Sequence, residues 1–415
     1  MPLIHDLTAS FGAAMDRLGP FEPHPGVAVA VSGGADSLAL VVLADGWVRE
    51  RGGTVVGLIV DHGLRAESAE EARVTVERLA GIGVPSQVLC LTGLAHGSAL
   101  AERARVWRYA ALTDACARAG VLHLLLGHHA ADQAETLAMR VLRDSGTHGL
   151  AGMAALRETA GVRLLRPLLS FPPDALRALL TARGLAWVDD PSNRDLHTLR
   201  SRLRHGLGVA PEPTLGTALA AAGRLRRREE EAIAAELAER AAIWPEGFAL
   251  VSPGRIGVAA LRSLIGMIGG SAYPPGAAQI GQLAAELKPA TVAGVRILPA
   301  GRLGNGLLMV REDAAIGGPV RAFNGAIWDR RFRLVTKGDV PGGALIGALG
   351  RDAVRFRRSS SLPSVVLRTL PGIRIGEKLA YVPHLRYTWR ENDTRASMVF
   401  SPSRQAAGAA FVPAE

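Results

Sequence analysis

The chain has 415 residues, enough for two or three domains with substantial cores, and its 48% hydrophobic and 21% charged residues are those of an ordinary soluble protein. No uniformly apolar run reaches the 18 or so residues of a membrane span, and the N-terminus lacks the pattern of a signal peptide. Cys90 and Cys116, the only two cysteines, exclude a disulfide framework and any multi-cysteine metal site, so a cytoplasmic protein is expected.

The net charge of +10 and a sequence pI near 10.6 fit a polyanionic partner. Only three of the 48 basic residues are lysines, which fits a genomic composition bias, so the sign of the charge is the informative part. In chain order, residues 1–20 read as an amphipathic helix. Val27 to Val31 form a short, wholly apolar strand, followed by the turn Ser32-Gly33-Gly34 and an apolar helix that opens at Asp36. Strands at Thr54 to Val60, Val84 to Leu91 and Val121 to Leu126 alternate with helices at Ser68 to Ala80, Ala99 to Ala119 and Ala131 to Arg143. A fifth strand is expected at Val162 to Leu169 and a helix at Pro173 to Arg183. This alternation predicts βαβ units and a parallel sheet whose ligand sits outside the carboxyl ends of the strands.

The pattern changes beyond Pro211-Glu212-Pro213. A long helix is expected from Thr214 to about Ala242, with two more at 258–266 and 277–287. Short β-like runs follow at Phe332 to Val335, Val365 to Leu367 and Lys378 to Val382. The expected architecture is α/β: a parallel-sheet nucleotide-binding domain over 1–210, a helical middle domain over 211–320 and a small mixed α/β domain over 321–415.

A strand, a Gly-rich turn and a helix N-terminus form an anion cradle of backbone N–H groups. A Walker A loop is excluded, because no lysine precedes Lys288, and Gly33-Gly34-Ala35-Asp36 breaks the dinucleotide-binding spacing. The remaining pattern, Ser-Gly-Gly-x-Asp-Ser, resembles the PP-loop of the ATP pyrophosphatases. Ser32, Gly33, Gly34, Ala35, Asp36 and Ser37 would wrap the pyrophosphate of ATP. A carboxylate so close to polyphosphate needs an intervening cation, which makes Asp36 the expected Mg²⁺ partner as well as a helix N-cap candidate.

Three further stretches sharpen the resemblance: Asp61-His62-Gly63-Leu64-Arg65, His128-His129-Ala130-Ala131-Asp132-Gln133-Ala134-Glu135-Thr136, and Trp187-Val188-Asp189-Asp190-Pro191-Ser192-Asn193. In this order, after the PP-loop, they look like the tRNA(Ile)-lysidine synthetase family, strongly over about 25–210 and weakly beyond. The resemblance implies that ATP activates C2 of the wobble cytidine, position 34, by adenylation in the isoleucine tRNA with a CAU anticodon. Free L-lysine then displaces AMP to give lysidine, and the tRNA reads AUA. It also implies lysine recognition by Asp132 and Glu135, with Asp132 close to the metal.

Arg105 and Arg108, three apart on one helix, suit a clamp on phosphate and on charge developing at the α-phosphorus. His62 is expected to line the ATP site. His128 and His129 are adjacent at a strand end and point to opposite faces, which disfavours a zinc pair. Residues 194–228 carry eight arginines against two acids, and Arg194, Arg200, Arg202 and Arg204 form the expected tRNA-binding stretch. Residues 351–390 add nine basic residues interleaved with Phe356, Tyr381, Tyr387 and Trp389. Two other readings stand beside this one: another PP-loop tRNA-modifying enzyme, and a non-catalytic nucleotide- or RNA-binding module. Against the first, the cysteines lack Cys-x-x-Cys spacing; against the second, Asp36, Arg105, Asp132 and Glu135 are all present. The base that accepts the lysine proton is not identified, and the oligomeric state stays open between monomer and homodimer.

Overall fold

The structure is a computed structural model, described here for residues 2–63, 68–91, 100–143, 147–159, 161–188, 213–271, 275–336, 338, 340–388 and 396–414. Its backbone falls into two compact units, 1–229 with 409–415, and 230–408, where three segments divided at 210 and 320 were expected. Among the described residues no helix is long and apolar enough to cross a membrane.

The first unit is built on strands β1 (Gly26–Val31), β2 (Thr54–Asp61), β3 (Ser86–Cys90), β4 (His123–Leu126), β5 (Leu156–Glu158) and β6 (Arg163–Leu165), in the order β3-β2-β1-β4-β6-β5. All neighbours are parallel except β5 and β6. Its helices are α1 (Pro2–Arg17), α2 (Ala35–Arg49), α3 (Ser68–Gly81), α4 (Leu100–Ala119), α5 (Ala130–Val141), α6 (Thr147–Leu150) and α7 (Pro173–Ala182). β1 is apolar at nearly every position because both its faces are covered, and Val27, Ala28 and Val29 are buried. α2 is likewise apolar on most sides, and its Leu40, Val41 and Ala44 are buried in the same core as Leu176 and Leu180 of α7.

The chain runs outward from β1 through β2 to β3, then returns to the other side of β1 at β4. This reversal between β1 and β4 is the topological switch point at which a doubly wound sheet opens a ligand crevice. The expected fifth strand over 162–169 shrinks to β6. Pro167 cannot donate to a ladder, and the Arg166 N–H turns instead to the Ala155 carbonyl at 2.8 Å. β5, antiparallel to β6, was not foreseen. The chain end also returns to this unit: Ala155 N–H donates to the Val412 carbonyl at 2.8 Å, and Phe411 is buried under the Arg226 guanidinium.

At the amino end of β4, buried His123 bridges two charged side chains. Its Nε2 lies 2.9 Å from Glu22 and its Nδ1 3.4 Å from Arg163 Nη1. Arg163 can only donate, so Nδ1 accepts and the proton sits on Nε2, facing the carboxylate. Burial above all, with Arg163 opposing Glu22, keeps this imidazole below the usual histidine value. His62 is shifted the same way. The unfolded chain therefore takes up protons as pH falls through about 6.5 while these folded histidines do not, so their contribution to stability is present above that pH and lost below it. Thermal melts should give a lower Tm at about pH 5.5 than at about pH 7.5, and His123→Gln should flatten that slope. A Tm that rises on acidification would contradict the lowered proton affinity of these buried histidines.

The long helix α8 (Pro213–Arg240) runs on into the second unit. There, β7 (Ala241–Trp244), β8 (Phe248–Val251), β9 (Ala290–Val292), β10 (Val295–Pro299) and β11 (Leu307–Arg311) form an antiparallel sheet in the order β7-β8-β11-β10-β9. The two expected helices, α9 (Val258–Ile268) and α10 (Ala277–Ala285), share its core. The middle segment is thus mixed rather than helical. Its strands are only three to five residues long, too short for alternation to stand out in sequence.

The remainder supplies β12 (Val320–Arg321), β13 (Ile327–Trp328), β14 (Phe332–Thr336), β15 (Ala344–Ala348), β16 (Pro371–Ile375), β17 (Lys378–Val382), β18 (Tyr387–Thr388) and β19 (Ala396–Phe400), arranged in a five-stranded and a three-stranded sheet. The expected strand at Val365 to Leu367 is a helix, α11 (Ser364–Thr369). Pro363 caps it in an extended conformation and starts the turn, and that overrides the β-branched Val-Val pair.

Candidate active site

The loop between β1 and α2 is shaped by its two glycines. Gly33 takes φ 80°, the left-handed region, and a Cβ there would lie 2.6 Å from the Thr75 hydroxyl. Thr75 cannot retreat, because it is buried and its Oγ1 donates to the Glu71 carbonyl at 2.7 Å. Gly34 is the N-cap of α2 in an extended conformation, so the first N–H groups of the helix face outward. Ser37 closes the loop from inside: its Oγ donates to the Gly34 carbonyl at 3.0 Å and accepts from Ser32 N–H at 3.2 Å. The Gly33 carbonyl accepts from Val188 N–H at 3.0 Å, which ties the loop to the segment after α7. Gly33→Ala should lower the rate of pyrophosphate release by about a hundredfold, since an ångström-scale shift of a phosphate cradle costs that much. Adding Thr75→Ala should recover part of it; activity of Gly33→Ala within about threefold of wild type would show that the loop conformation is not required.

Above this loop, at the carboxyl ends of β1, β2 and β4, opens a cleft of about 400 Å³. The end nearest the loop is formed by Ser32, Gly34, Asp36 and Ser37, and His62, Arg108 and Tyr109 line the cleft as well. Ser68, Glu71, Ala72 and Thr75 also line it. Their spacing along α3 marks one helix face turned to the cleft, a signal present in the sequence and not used. Burial, then the neighbouring Arg108 charge, keeps the His62 imidazole neutral at physiological pH. Asp61 beside it accepts from Ser68 Oγ at 2.6 Å and Gly63 N–H at 2.9 Å, and these bonds hold its carboxyl below the usual carboxylate range.

Asp36, in the first turn of α2, has Oδ2 at 3.3 Å from His129 Nε2, and the same nitrogen is 3.6 Å from Asp132 Oδ2. Asp132 in turn accepts from His129 N–H at 3.1 Å, the reciprocal bond of a capping box at the start of α5. One imidazole thus joins the two carboxylates expected near the metal. His128 lines the cleft, while His129 is turned to this pair and buried, as adjacent residues at a strand end must diverge. Asp36 Oδ1 is buried with no protein hydrogen-bond partner among the described residues. Such an orphaned anionic oxygen fits a cation. No group of three or more His, Cys, Asp or Glu able to hold a metal occurs among the described residues.

The other expected residues fall in different places. Ala35 packs in the core at the start of α2. Asp132 and Glu135 are 8% and 2% exposed, and neither is among the residues lining the cleft. Arg108 lines it, whereas Arg105 is exposed and lies over the Tyr109 ring, 5.2 Å from its centroid. Arg194, Arg200, Arg202 and Arg204 lie outside the described residues, as do residues 189–193 of the Trp187 to Asn193 motif.

A parallel sheet with a Ser-Gly-Gly loop at its switch point and an acid at the helix start defines a PP-loop nucleotide-binding domain, and the PP-loop domain family matches residues 7–210. Over 400 residues the chain is 36% identical to the tRNA(Ile)-lysidine synthase of Ruegeria pomeroyi, covering 92% of both proteins. It is 39% identical to that of Hyphomonas neptunium over 70% of this chain and 82% of the relative, and 37% identical to that of Methylobacterium nodulans over 69% and 88%. The chain belongs to the tRNA(Ile)-lysidine synthase family and is a PP-loop enzyme of tRNA modification.

Proposed function

We propose that this enzyme joins free L-lysine to C2 of the wobble cytidine, position 34, of the CAU-anticodon isoleucine tRNA. ATP is consumed and AMP and pyrophosphate are released. The observation that carries this reading is the anion cradle at the switch point, with its orphaned Asp36 oxygen, in a chain matched along nearly its whole length to a protein named for that product. The outward N–H groups at the start of α2 would hold the β- and γ-phosphates. Asp36 would hold Mg²⁺, and the bound ion would offset charge on the leaving pyrophosphate. Arg108 and Arg105 would face charge developing at the α-phosphorus as the cytidine oxygen attacks. Asp132 and Glu135 would recognise the lysine ammonium groups, with Asp132 set by its bond to His129 N–H. The site would work in the cytoplasm.

The stretch holding Arg194, Arg200, Arg202 and Arg204 would carry tRNA phosphate contacts. Replacing Arg200, Arg202 and Arg204 by alanine should raise the tRNA KM and reduce the slope of log KM against log salt by about two to three. An unchanged salt slope would remove that stretch from the interface. The reading as a whole is tested by pyrophosphate release with purified protein, ATP and transcribed tRNA. Release should require the CAU-anticodon isoleucine transcript; release without any tRNA would point to another acceptor.

A further inference from the structure

His129 stands between the two acids of the site, and its backbone is held on both sides. It is 7% exposed, it is the N-cap of α5 in an extended conformation, and its N–H donates to Asp132 Oδ2 at 3.1 Å. The residue after it is tied down as well, since Ala130 N–H donates to the Phe171 carbonyl at 3.0 Å. Two residues before it, Gly127 lets the chain press against the start of α2: a Cβ there would lie 3.3 Å from the backbone N and Cα of Ser37 and 3.4 Å from the carbonyl carbon of Asp36. A larger residue at 127 would lift the turn between β4 and α5, and His129 with it, away from Asp36.

From this place the imidazole faces both carboxylates. Its Nε2 lies 3.3 Å from Asp36 Oδ2 and 3.6 Å from Asp132 Oδ2. An ionised carboxylate can only accept, so the ring nitrogen that faces two of them carries a proton. Asp36 Oδ2 is thereby held by the protein. Oδ1, buried with no protein hydrogen-bond partner among the described residues, is the oxygen that remains for a ligand of the cleft that Asp36 lines. A carboxylate with one oxygen fixed does not have to be oriented when the other binds a cation, and that lowers the cost of binding. Removing an outer partner of this kind weakens a metal site by about ten- to a hundredfold.

We propose that His129 is a positioning residue for Asp36: by holding Oδ2 through Nε2, it leaves Oδ1 set toward the cation that accompanies ATP. This rests on the reading of Asp36 as the Mg²⁺ partner in the ATP site. The test is calorimetric titration with ATP, once in Mg²⁺ and once in EDTA, of wild type, His129→Leu, His129→Gln, Asp36→Asn and the Asp36→Asn/His129→Leu double variant. The quantity read is the gain in ATP affinity that Mg²⁺ confers. In His129→Leu that gain should fall about tenfold, while affinity in EDTA stays within about twofold of wild type. His129→Gln, whose amide N–H takes the place of Nε2–H, should recover most of it. The double variant should have the same gain as Asp36→Asn alone, since His129 acts through Asp36. If His129→Leu does not fold, His129→Asn, whose shorter amide stops well short of Asp36, takes its place under the same criteria.

A folded His129→Leu with the wild-type gain, equal losses with and without Mg²⁺, or a double variant with a smaller gain than Asp36→Asn would overturn the proposal and leave the ATP reading standing. An Asp36→Asn variant that keeps the full gain would remove the Mg²⁺ role of Asp36 and the proposal with it. A wild type that binds no ATP in either buffer would remove the ATP reading as well.

Discussion

Asp36→Asn is expected to reduce pyrophosphate release by about a thousandfold or more while the tRNA Kd stays within about twofold. Asparagine keeps the shape of the side chain and a neutral carbonyl oxygen at the start of α2. It removes only the negative charge, so the fold loses no more than the modest dipole contribution of a first-turn acid, about 0.3–1 kcal/mol. At the site the loss is larger. Asp36 has one carboxylate oxygen beside His129 Nε2 and the other buried without a protein partner, in a cradle built for anions. A carboxylate at that place is repelled by polyphosphate unless a cation lies between them, and the neutral amide holds such a cation poorly. Parallel kinetics and filter binding decide the matter. Equal loss of turnover and of tRNA binding would mean that Asp36 is structural.

Asp329→Asn is the counterpart for stability and acts far along the chain from that chemistry. Asp329, only 2% exposed in its side chain, receives Arg331 Nε at 2.8 Å, Arg311 Nε and Nη2 at 3.1 Å each, and Gly317 N–H at 2.9 Å. The Arg331 side chain is 0% exposed, and burial pushes its guanidinium down to about 10 against the pull of Asp329. The carboxylate therefore neutralises two guanidiniums at the junction of β13 and β14. Asn tolerates the left-handed backbone at this position, φ 50°, so the substitution tests charge and not strain. Leaving two buried cations on a neutral amide should cost about 3–5 kcal/mol, or roughly 10 °C in the melting of the 230–408 unit. The check is a thermal melt by circular dichroism together with ATP affinity, which should not change. A Tm within about 2 °C of wild type would show that the cluster is not under that electrostatic tension.

The two substitutions also mark what could be read from the sequence. The Asp36 site was legible because its parts are contiguous: an apolar strand, a glycine turn and an apolar helix within residues 26–49. The second wall of the cleft was half legible. Asp61-His62 stood at a strand end, but Ser68, Glu71 and Thr75 became significant only once α3 was known to lie over the Gly33 turn. The Asp329 cluster was not legible. Its arginines come from different strands or turns, and nothing in a window of sequence says that Arg311 and Arg331 share one carboxylate. Pro167 falls inside the strand expected over 162–169, whereas β6 ends at Leu165. In 230–408, strands of two to five residues give too few alternations to outvote local propensity, and for that reason α11 reads as a strand until the Pro363 cap is seen.

Transfer of labelled lysine tests the proposed reaction most directly. Wild-type enzyme, ATP, Mg²⁺, radiolabelled L-lysine and transcribed CAU-anticodon isoleucine tRNA should give label in the tRNA, with one AMP and one pyrophosphate formed per lysine incorporated. Label should be lost when the wobble cytidine is replaced by uridine. Pyrophosphate formed in the presence of that tRNA with no lysine entering it would contradict the proposed reaction: the PP-loop chemistry would remain, and the nucleophile would be a different one.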